Sequence, residues 1–85
     1  MPEISRFLGV IITMYYNDHP PPHFHAKYGD YEAVVDIQDG VVEGRFPRRA
    51  LRVVLEWYEI HMGELMDDWL LKEQRRPLMK IEPLE

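Results

Sequence analysis

Two glycine turns constrain this chain more than any other feature. Gly29-Asp30 separates "HFHAKY" from "YEAVVDI", and Asp39-Gly40 separates "VVDIQ" from "VVEGRF". A two-residue loop with glycine first suits a type II′ hairpin turn, and Asp-Gly suits type I′. The flanking segments are rich in β-branched and aromatic residues and read as antiparallel strands. The first turn predicts a register: Tyr28 faces Tyr31, Lys27 faces Glu32, Ala26 faces Ala33, His25 faces Val34, Phe24 faces Val35 and His23 faces Asp36. Side chains alternate across a strand, so Phe24, Ala26, Tyr28, Tyr31, Ala33, Val35 and Ile37 form one apolar face. His23, His25, Lys27, Glu32, Val34 and Asp36 form the other, mostly polar, face. A slip by one residue would mix the two sets, so the pattern supports the pairing. The second turn predicts Ile37 opposite Val42 on the core face and Asp36 opposite Glu43 on the polar face. Like charges directly opposite destabilise a sheet, which calls for a positive group between them.

Upstream, residues 9–16, "GVIITMYY", read as a strand that is apolar on both faces and therefore inside the sheet. "NDHPPP" stops it, because proline donates no ladder hydrogen bond and three in a row make an extended connection. After Pro47 the period becomes helical. Leu51, Val54, Leu55, Tyr58 and Met62 form one stripe, and Val53, Trp57 and Ile60 form a second on the opposite side. Gly63 allows a break. Residues 64–76 then read as a second helix with Leu65, Met66, Trp69 and Leu70 inward, ended by Pro77. The tail "LMKIEPLE" is either a short edge segment or loose. The expected architecture is α+β: an antiparallel meander of three to four strands, followed by two helices packed on one face. Residues 1–85 form one domain, with a sheet half (1–46), a helical half (47–76) and a tail (77–85).

Composition narrows the function classes. The chain has 85 residues, no cysteine and a formal net charge of −5. Without cysteine there are no disulfides, thiolate metal sites or cysteine nucleophiles, which fits a reducing cytoplasm. The opening "MPEISRFLG" lacks a basic region followed by a long apolar run, and no apolar run approaches bilayer length, so a cytoplasmic location is expected. The acidic balance weighs against broad nucleic-acid binding.

The candidate chemistry sits between residues 19 and 43. His23 and His25 share a strand face, with Asp36 and Glu43 on neighbouring strands and His19 just before the prolines. Imidazoles with a carboxylate, completed by water, hold zinc, manganese or iron, so His23, His25, Asp36 and Glu43 are the candidate ligands. His19, His23 and His25 are also candidate acid–base groups. The competing explanation is a set of solvated polar residues on an open sheet face. Arg45, Arg48, Arg49 and Arg52 cluster near a helix start and are candidates for phosphate or nucleic acid. Val53, Trp57 and Ile60 are core or a partner interface, and homo-oligomer formation stays open.

The stretch "MPEISRFLGVIITMYYNDHPPPHFHAKYGDYEAVVDI", with "PRRALRVVLEWYEIH.GEL..DW" and the closing "IEPL", resembles a bacterial family grouped as domain of unknown function 4160. Asn17-Asp18-His19 and Pro21-Pro22-His23-Phe24-His25 carry that resemblance most specifically. Position 20 is a third proline here, and Gly63 stands where the family more often has a charged residue. The resemblance implies one half of a two-gene, toxin–antitoxin-like module. Its partner would be a small neighbouring protein of domain of unknown function 2442. Two function classes follow: a partner-binding component of such a module, or a His-dependent or metal-assisted phosphodiesterase or ribonuclease using His19, His23 and His25, with Arg48 or Arg49 on phosphate.

Overall fold

The computed structural model describes residues 2–84. Its strands are β1 (Glu3–Phe7), β2 (Val10–Thr13), β3 (His23–Tyr28), β4 (Tyr31–Asp36) and β5 (Val42–Arg45), followed by one helix, α1 (Arg48–Glu73). The strands form a single antiparallel meander in the order β1-β2-β3-β4-β5. The class is α+β as expected, but the counts differ: five strands and one helical run, against three to four strands and two helices.

The extra strand is β1. Its sequence "EISRF" shows little strand signal, and its turn to β2 is Leu8-Gly9, with φ of 49° and 83°. Two positive φ values match a type I′ turn, but leucine is a poor residue for that conformation. Tertiary packing supplies what local preference does not: Ile4 and Phe7 are buried in the core. β2 lies between β1 and β3, as its two apolar faces required, although it is shorter than the expected 9–16.

The β3–β4 register holds at all six expected pairs, from Tyr28 with Tyr31 to His23 with Asp36. Gly29 has φ 58° and Asp30 is not in the positive-φ region, as a type II′ turn requires. The next hairpin differs by two residues. Val42 pairs with Val35 and Glu43 with Val34, so neither Ile37 with Val42 nor Asp36 with Glu43 is a pair. The cause is the Asp36 carboxylate. It accepts from the backbone N–H groups of Gln38 and Asp39, at 2.8 and 3.2 Å, and so builds a wider turn than Asp-Gly alone would make. A two-residue shift preserves the faces, so Val42 still points to the core.

Helix α1 does not break at Gly63. It kinks at His61 (φ −114°, ψ 21°), whose Nδ1 lies against the Glu64 carboxylate and whose ring packs on Trp57. The two expected stripes are redrawn. Val54, Trp57, Tyr58, Leu65 and Trp69 are buried, whereas Ile60, Met62 and Leu70 are exposed. Trp57 is the centre of the core. It packs on Phe7 and Phe24, and its Nε1 donates to Glu82 O. Aromatic contacts of this kind add about 0.5–1.5 kcal/mol each beyond simple burial.

The tail is an edge segment. Ile81 N donates to Ile4 O at 2.8 Å, the Ser5 hydroxyl donates to Ile81 O, and Ile81 is buried against β1. Asp68, itself buried, anchors the same tail by accepting from Met79 N. Burial pushes the Asp68 carboxyl above the usual aspartate value; the Met79 N–H opposes this, and Asp67 and Glu64 add to it.

A group shifted this way stabilises the fold fully below its unfolded pKa, and that contribution is lost as pH rises through the folded value. Asp68→Asn should therefore melt a few degrees above wild type at pH 7, with the gap closing toward pH ~4. Melting curves across that range check it; a gap that widens in acid would contradict it.

Candidate functional site

The β3–β4 hairpin puts His23 and His25 on the face away from the core, and the preceding loop folds back over them. Within that loop Asp18 N donates to Tyr15 O, and one Asp18 carboxylate oxygen, Oδ2, lies 3.4 Å from Tyr15 N. The same Oδ2 is 3.3 Å from His23 Nε2 and 3.0 Å from His25 Nε2. The ligand atoms of Asp18, His23 and His25 all lie within 4.8 Å of one another. Their side chains are largely covered, at 19%, 17% and 14% exposure, yet reachable from solvent.

The outer nitrogens are also engaged. His23 Nδ1 is 2.8 Å from the Pro21 carbonyl, and His25 Nδ1 is 3.1 Å from Glu32 Oε2. A carbonyl can only accept, so His23 carries a proton on Nδ1 and turns Nε2 toward Asp18. The two rings together face four acceptor contacts, while two neutral imidazoles supply two N–H groups. Two positive charges are needed to complete the set. Two further protons would supply them; so would one divalent cation where both Nε2 atoms and Oδ2 converge.

The walls are aromatic. Tyr15 packs edge-on against His25 at 4.6 Å, and Trp69 packs against His23 at 5.4 Å. Lys27 lies over Tyr15, whose hydroxyl holds the Lys27 ammonium above the usual lysine value. Thr13 faces His25 across the β2–β3 ladder. It is fully buried, and its hydroxyl has no hydrogen-bond partner among the described residues.

The expected site residues are divided. His23 and His25 come together as the strand register required. Asp36 and Glu43 do not join them; they line an adjoining groove of about 460 Å³ with His19, Pro20, Pro21 and His23. Arg48 and Arg52 lie on the helix beside Leu51 and Leu55, and Arg45 lies near Glu32 and Tyr31. Arg49 is exposed at the helix start. Of the second stripe, Trp57 is core, Val53 is half-buried, and Ile60 is exposed.

The residues not foreseen are Asp18, Glu32, Trp69, Thr13 and Lys72, whose Nζ donates to the Asp18 backbone carbonyl. Glu32 was within reach of sequence reasoning, because it is the diagonal cross-strand neighbour of His25 and diagonal pairs touch when side chains are long. Asp18 sits in a loop, where no period reveals which way a side chain points.

A family model described as a domain of unknown function (DUF4160) matches residues 9–70. The chain belongs to the DUF4160 family. No curated protein and no solved structure matches it. The DUF4160 match spans every residue of the centre except Lys72, which follows it by two positions. Among the described residues, no helix is long and apolar enough to cross a membrane.

The hydrogen-bond geometry fixes an observable. The neutral His23 ring should be the Nδ1–H tautomer in nitrogen-15 NMR of metal-free protein. A ring protonated on Nε2 would show that the Pro21 carbonyl does not hold it.

Proposed function

We propose that this DUF4160 protein is a metal-binding protein whose centre is Asp18, His23 and His25. Zinc, manganese or iron is the cation suited to two imidazoles and one carboxylate. The observation that carries this reading is the convergence of both Nε2 atoms and Asp18 Oδ2 on one point, with the outer nitrogen of each ring already facing an acceptor.

The surroundings support it. Metal-bound histidines usually donate their other N–H to a carbonyl or carboxylate, and Pro21 O and Glu32 Oε2 stand in those places. Thr13 brings a buried hydroxyl to the same face, as a donor or acceptor for a water on the metal. Three protein ligands leave further positions for water and substrate, which is the pattern of a working centre rather than a structural one. Such a cation polarises a carbonyl or lowers the pKa of bound water.

Metal-assisted hydrolysis is therefore the reaction class we favour, with His19, on the groove beside His23, as a proton-transfer group. Phosphodiester cleavage is the weaker form. The groove carries Asp36, Asp39 and Glu43 and no lysine or arginine, which repels a phosphate backbone. Membership of a toxin–antitoxin-like pair, with a domain-of-unknown-function-2442 partner, rests on the family resemblance. Of the stripe offered for that contact, Ile60 alone is well exposed.

Untagged protein should bind about one equivalent of zinc in equilibrium dialysis. Asp18→Ala, His23→Ala and His25→Ala should each weaken binding well beyond tenfold, and Glu32→Gln by roughly tenfold. Asp36→Ala and Glu43→Ala should bind as wild type does. Full retention of zinc by the Asp18 variant would sink the assignment.

A further inference from the structure

Lys72 is buried to 2% exposure at the end of α1, in a molecule whose other lysines are half-buried or exposed. Its Nζ donates to the backbone carbonyl of Asp18 and stands 3.6 Å from the centroid of the Trp69 ring. The nearest carboxylate is that of Glu73, at 3.6 Å. Trp69 in turn packs on His23. One helical turn therefore holds both sides of the centre: the tryptophan seats the His23 ring, and the ammonium seats the loop that carries Asp18.

We propose that Lys72 is a positioning residue for the metal centre, setting the Asp18 carboxylate against the two Nε2 atoms. This rests on the metal-binding reading above. The choice of atom matters. The ammonium takes the backbone oxygen of Asp18 and leaves the carboxylate to the cation, so it orients the ligand without occupying it. The loop needs such an anchor. Between Asn17 and Pro22 it makes few hydrogen bonds of its own, and its prolines donate none. The cation over Trp69 is desolvated, the condition under which cation–π attraction is strongest. The kink at His61 matters to this geometry, because the helical segment beyond it carries Trp69 and Lys72 to the start of β3.

The test is a cobalt(II) titration of the full chain, read from its visible bands, on wild type, Lys72→Met and Lys72→Arg, with melting curves in parallel. Lys72→Met should bind cobalt at least about tenfold more weakly, with altered bands. Lys72→Arg, which keeps a long cationic donor, should restore most of the affinity. Unchanged binding in Lys72→Met overturns the role of Lys72 and leaves the centre standing. Equal loss in both variants marks the position as packing and also overturns it. A wild type that binds no cobalt removes the centre itself. Should Lys72→Met fail to fold, wild-type protein decides: zinc, by stabilising the closed loop that covers Lys72, should slow acetylation of Lys72 severalfold and leave Lys80 unaffected. Equal rates at Lys72 with and without zinc would contradict the proposal.

Discussion

The pairing of β3 with β4 is the constraint on which the rest depends. It sends Phe24, Ala26, Ala33 and Val35 into the core and turns His23 and His25 away from it. Phe24 meets Trp57 and Tyr58 of the helix, so the same register seats α1 on the sheet. Sheet, helix and histidine pair are therefore three consequences of one hairpin. A slip by one residue would bury two imidazoles and expose a phenylalanine, a penalty large enough to make the register unambiguous.

The loop before β3 completes the centre and is held from outside itself. Asp18 is aimed by its neighbours Tyr15 and Lys72, and Glu32 reaches His25 from the next strand. The result is two imidazole Nε2 atoms converging on one carboxylate oxygen in a covered site. Proteins rarely leave such a point uncompensated in a covered site, because an unpaired polar contact costs about 1–3 kcal/mol. On the proposed metal-binding reading, a divalent cation would satisfy it in a single step, and its affinity would fall in acid as the ligands take up protons.

What was legible in the sequence followed period and turn chemistry. The six β3–β4 pairs, the interior place of β2 and the shared face of His23 and His25 all came from alternation and Gly29-Asp30. Strand β1 was not legible, since Leu8 in a left-handed turn has no propensity signal and Ile4 is held by a tail more than seventy residues away. Asp36 misled in two ways. Its place opposite His23 was correct, but its carboxylate closes its own turn instead of facing the centre, and that turn shifted the β5 register. Asp18 and Lys72 lie 54 residues apart, and their contact depends on a helix kink at His61, which Gly63 marks only to within two residues and without its direction.

The most direct test of the centre is a zinc-edge X-ray absorption spectrum of a His19→Ala, His61→Ala variant loaded with one equivalent. That variant leaves His23 and His25 as the imidazoles. We expect two imidazole nitrogens at about 2.0 Å, with the remaining ligands all oxygen. A spectrum without imidazole scattering, or with one ring only, would contradict a centre built on Asp18, His23 and His25.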